Sequence, residues 1–213
     1  MSEVRTALAE QFDTLEQQHE ASQLGLWTFL ATEVLFFGGL FTAYVVYRHA
    51  YPQAFTEASR HTNLLYGTIN TAILLTSSLT MALAVNAAQE SRSKHLCRYL
   101  LATILLAVGF LVVKGLEYHE HFADHLVPGA NFAMAGRPKT ELFFWLYFTM
   151  TGLHAIHVLV GIGVLSVLAF MSSRLHFSSE YHTPVEMTGL YWHFVDIVWV
   201  FLYPLLYLIN RHI

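Results

Sequence analysis

The chain has 213 residues, of which 55% are hydrophobic, 15% aromatic and only 12% charged, with a formal net charge of −4. That is too apolar for an ordinary water-soluble domain. The charge is small and dispersed and the basic residues form no patch, which excludes nucleic acid as a partner.

The chain opens on MSEVRTALAEQFDTLEQQHEASQ, whose acids Glu3, Glu10, Asp13, Glu16 and Glu20 are unlike the basic start and apolar centre of a cleaved signal peptide. Residues 1–23 are therefore expected to form a polar arm or surface helix. Five apolar stretches follow, each long enough as a helix to cross a hydrocarbon layer of roughly 30 Å. They lie near 24–47, 65–88, 98–118, 142–171 and 187–209, predicting an all-α, five-helix transmembrane bundle over 24–213.

The loop between the second and third spans carries SRSKHLCR, the only dense basic cluster, and five basic residues fall on each side of the membrane in total. The cluster favours an inside N-terminus. The longest connection, about 119–140, is rich in Pro, Gly and polar residues and is expected on the outer face. Its HEHFADH start resembles a metal box but has no second box of matching spacing, and no CxxC pair accompanies the single Cys97, so no metal site is expected.

A charge at bilayer depth costs several kcal/mol, so ionisable residues within spans should face protein. Here they are Glu33, His154, His157, His193 and Asp196. At about 1.5 Å per residue, Glu33 and Asp196 lie roughly 14 Å from the N-terminal face and His154 roughly 12 Å from it. This shared height predicts one buried polar layer. His154, His157 and Gly161 share a stripe of the fourth span, and Trp192, Asp196, Trp199 and Tyr203 a stripe of the fifth. Such groups serve either as structural glue between helices or as proton-exchange sites. Glu33, set among Phe29, Phe36 and Phe37 at helical spacing, is the foremost relay candidate. Lys114 and Glu117, three apart near the other face, are expected to make a modest structural pair.

LGLWTFLATEVLFFGGLFTAYVVYR, TINTAILLTSS, the Glu117-Tyr118 pair, TGLHAIHVLVG and YWHFVDIVWVFLYPLLY resemble, in order, the last five helices of subunit III of the haem-copper oxidases. Mitochondrial-type members have seven helices, and the sequence lacks counterparts of the first two. Five-helix forms occur with bacterial oxidases and in short relatives from nitric oxide reductase systems. The resemblance implies a non-catalytic subunit that binds no haem or copper itself. Those groups would reside in partner subunits, chiefly subunit I, with subunit II and other oxidase or supercomplex subunits nearby, in a bacterial inner membrane.

The resemblance further implies roles in subunit I stability, phospholipid binding, proton uptake, protection during turnover and oxygen access. Glu33 matches the family's intramembrane carboxylate, His154 and His157 its GxHxxHV histidines, and Trp192, His193 and Asp196 its WHFVD motif. Trp199, Glu117 and Tyr118 match packing or interface positions, and Arg174 and His176 a basic pair at lipid headgroups. Two other readings stay open: a haem enzyme ligated by His154, His157 and His193, and a proton-coupled transporter.

Overall fold

The computed structural model describes residues 10–134, 136–137, 139–173 and 181–208. Among them are six helices: α1 (Leu15–Ala50), α2 (Pro52–Ser59), α3 (Leu64–Gln89), α4 (Ser93–Ala123), α5 (Thr140–Ser173) and α6 (Thr183–Tyr207). All but α2 are long and apolar enough to cross a membrane.

Local signals explain where the helices begin and end. Thr14 caps α1 by accepting from the Gln17 amide at 3.1 Å, and the Gln17 side chain answers by accepting from the Asp13 amide at 3.0 Å. The helix then runs through the helix-forming segment LEQQHEASQ without a break, so the second half of the expected arm extends the first span. Tyr51 precedes Pro52, which disfavours helical backbone at Tyr51 and starts α2 at its first turn. Asn63 caps α3 through the Leu65 amide. The α3–α4 turn reverses at Ser91, with φ of 56°, while the Arg92 amide bonds back to the Ala87 carbonyl. The same device ends α4, with His125 at φ 53° and the Leu126 amide on the His121 carbonyl. The helix thus continues to Ala123, and the first residues of HEHFADH are helical.

Helix α3 packs along α4, α4 along α5, and α6 closes the bundle against α3 and α5. Helix α1 lies at the margin, against α6 and α5, and α2 tucks its buried Phe55 against Tyr44 and Phe143. Small residues let helices approach where a side chain would collide. A Cβ on Gly161 would lie 2.5 Å from the Trp192 ring, and one on Gly189 2.9 Å from Val85 Cγ2. Trp192, Trp199, Tyr147, Tyr207 and Phe110 fill the interior, while Leu24, Leu35, Leu79, Leu105, Val160 and Val167 point outward as a lipid-facing surface.

Candidate functional site

The polar side chains predicted to share one layer occupy three separate places. At the first, α1 sets Glu33 against α5, where Glu33 Oε2 lies 3.1 Å from His157 Nε2; the two side chains are only 17% and 16% exposed. The other ring nitrogen of His157 donates to the Leu153 carbonyl one turn back, at 2.8 Å. With Nδ1 holding that hydrogen, the Oε2–Nε2 contact contains one further proton, carried by either partner. Phe37 stands edge-on to the imidazole at 5.3 Å, and the Tyr191 hydroxyl donates to the His157 carbonyl. A hydrogen-bonded acid–imidazole pair thus lies beside the Phe37 ring between two apolar spans.

His154, one turn away, turns into the interior instead. It is fully buried between Phe110 and Trp199, with centroids at 5.5 and 5.2 Å, and among the described residues neither nitrogen finds a hydrogen-bond partner.

The third place is on α6, where His193 Nδ1 meets Ser78 Oγ of α3 at 2.7 Å. Asp196 is 4% exposed, and among the described residues neither carboxyl oxygen has a hydrogen bond of good geometry; Ser78 stands beside it, but its close contact is with His193. His193 and Asp196 were expected to join Glu33 in one layer; His193 bonds to Ser78 of α3, and Glu33 to His157 of α5. Helix α6 presents Phe194 and Phe201 to α1, against Phe37 and Phe41, so its polar residues turn to α3. Trp192 and Trp199 are both interior packing residues. Trp192 Nε1 donates to Ser77 Oγ at 2.8 Å and Trp199 Nε1 to Thr71 Oγ1 at 3.1 Å.

The pairing of Lys114 with Glu117 exceeds the modest contact expected. The two side chains are 3% and 1% exposed, and Lys114 Nζ donates to Glu117 Oε2 at 2.9 Å, to the Tyr147 hydroxyl at 2.9 Å and to the Tyr207 hydroxyl at 2.7 Å. Tyr207 in turn donates to Glu117 Oε2 at 2.9 Å. All three ammonium hydrogens are used, and the Tyr147 ring lies 4.6 Å from Nζ. Helices α4, α5 and α6 are thus tied by one buried cation. The signal was present in the sequence: a lysine inside an apolar span, an acid three residues on, and tyrosines toward the same end of two other spans.

Tyr118 shares a hydrogen bond with Thr151 at 2.6 Å, His121 is buried edge-on to Tyr147, and Glu120 accepts from Tyr66. Among the described residues no group of three or more His, Cys, Asp or Glu side chains converges to hold a metal ion. Arg174 and His176 lie outside the described residues.

The molecule is a polytopic all-α membrane protein in which Glu33 pairs with His157 across helices, Lys114 pairs with Glu117 inside the bundle, and His154 is enclosed by aromatic rings. The family model for cytochrome c oxidase subunit III matches residues 11–210. A cytochrome c oxidase subunit 3 from Thermostichus vulcanus is 32% identical over 207 residues, covering 97% of this chain and 95% of the relative. That of Synechocystis sp. is 36% identical over 186 residues, 87% of this chain and 74% of the relative. That of Loxodonta africana is 31% identical over 197 residues, 88% and 69% respectively. The chain belongs to the cytochrome c oxidase subunit III family.

Proposed function

We propose that the chain is a non-catalytic subunit of a haem-copper terminal oxidase in a bacterial inner membrane, packed beside the subunits that carry haem and copper and reduce oxygen. The observation that carries this reading is the family match across residues 11–210. The placement of the histidines supports it. His154 is wedged between two rings, both nitrogens of His157 are engaged, and His193 binds Ser78 on another face, so the three do not converge on a haem. Haem and copper would belong to partner subunits, and phospholipid would cover the outward apolar faces. The complex purified in mild detergent is expected to show haem absorption, whereas the isolated chain shows none; a haem band from the chain alone would overturn the reading.

Within that complex, Glu33 and His157 would hold an exchangeable proton that supports uptake by the catalytic subunit. Glu33→Gln is expected to assemble at wild-type subunit content, because the amide still bonds to His157 Nε2 at the same reach. Oxygen consumption by that complex should fall below wild type. Equal turnover at equal content would make the pair structural only.

A further inference from the structure

We infer that buried water is bound in the core beside the Lys114–Glu117 pair, between Asn70 of α3 and Glu117 and His121 of α4. Each of these three side chains is at most 3% exposed, and each carries hydrogen-bonding capacity that no described residue meets. In Asn70 both Nδ2 and Oδ1 are unpartnered, in Glu117 it is Oε1, and in His121 it is Nδ1. Removing an amide, a carboxylate or an imidazole from water without replacing its bonds is costly, so buried groups of these kinds are nearly always satisfied.

The register of the helices brings these atoms to one place. Helices α3 and α4 run antiparallel, with the Tyr66 hydroxyl donating to Glu120 at 2.6 Å near one end and Thr80 meeting Thr103 at 2.8 Å further along. Asn70 is one turn from Tyr66 on α3, and Glu117 one turn from Glu120 on α4. They form the next rung of the same ladder. His121 follows Glu117 by one turn on the same buried stripe, and its ring stands edge-on to Tyr147, whose hydroxyl accepts from Lys114. Asn70 is thus set opposite Glu117, yet its amide and Glu117 Oε1 make no direct hydrogen bond.

The atoms themselves select water. Asn70 presents both a donor and an acceptor, Glu117 Oε1 only accepts, and His121 Nδ1 does either according to its tautomer. A water can accept from Asn70 Nδ2, donate to Glu117 Oε1 and bond to either tautomer of His121, the roughly three bonds typical of a buried water. A cation would leave the Nδ2 hydrogens without an acceptor. It would also add uncompensated charge to an apolar span, because Lys114 already neutralises Glu117 at 2.9 Å.

The sign of a stability change tests this assignment. Leucine is close to asparagine in shape but binds no water, so Asn70→Leu in the full chain is expected to lower the melting temperature in detergent by roughly 3 °C or more, with Glu117 Oε1 left bare. In a dry core the same replacement would remove an unsatisfied amide and raise the melting temperature. An unchanged or higher value therefore overturns the proposal. A map of the unaltered protein at a resolution that shows ordered water is expected to contain a peak within hydrogen-bonding distance of both Asn70 and Glu117 Oε1. A direct amide–carboxylate contact, or no peak, overturns the site whether or not the variant folds. Melting of the unaltered protein is expected to be equal in sodium, potassium and choline salts, and a dependence on the alkali ion that Asn70→Leu abolishes would put a cation there instead.

Discussion

Lys114→Met is expected to destabilise the protein by roughly 3 kcal/mol or more, the usual cost of removing one partner of a buried ion pair. The mutation removes the cation that serves Glu117, Tyr147 and Tyr207 together, and leaves a carboxylate that is 1% exposed with only the Tyr207 hydroxyl donating to it. Among the described residues Glu117 Oε1 already lacks a partner, so nothing within the cluster compensates. The test is thermal unfolding in detergent against the double variant Lys114→Met, Glu117→Leu. Removing both charges should recover much of the loss, because apolar replacement of a whole buried pair is often neutral. A single variant that melts with the wild type would show that the ion pair contributes nothing to the folded state.

Gly161→Ala is expected to cost about 1–3 kcal/mol, the range for overpacking a well-filled interior. The added methyl would lie 2.5 Å from Trp192 Cζ3 and 2.9 Å from its Cε3. The indole has no room to retreat, being fully buried and held at its nitrogen by Ser77. Helices α5 and α6 must therefore separate. Gly163→Ala is the control, since a Cβ there meets nothing within 4 Å and alanine is the better helix former. A lower melting temperature for the first and an unchanged or higher one for the second is the expected pattern. Equal melting would show that the α5–α6 contact yields without cost.

What could be read from the sequence differs by coordinate. The number and approximate positions of the membrane helices follow from uninterrupted apolar length, and the family from long motifs. The height of each polar residue follows from counting residues along a helix, which placed Glu33, His154 and Asp196 at one level. The direction in which each points does not follow from height. The rotation of α6 about its axis is set by Trp192 lying over Gly161 and by Trp199 lying against Phe110, contacts between residues far apart in sequence. That rotation turns Phe194 to α1 and His193 to α3. Helix ends were missed for a different reason. LEQQHEASQ and HEHFA are polar enough to read as interfacial, yet they contain good helix formers and simply prolong a helix beyond the hydrocarbon. The short α2 carried its own signal, a proline at the first position followed by an apolar Phe55, within a stretch too brief to show periodicity.

Lys114, in the C-terminal third of α4, also bears on the chain's biogenesis. Its ammonium depends on Tyr207, the final residue of the last helix, while α4 itself is complete at Ala123. During synthesis some eighty residues, 124 to 207, must be added before that last acceptor exists. A nascent product arrested before α6 would hold Lys114 against Glu117 and Tyr147 but lack the Tyr207 hydroxyl, leaving its ammonium one acceptor short of the finished molecule.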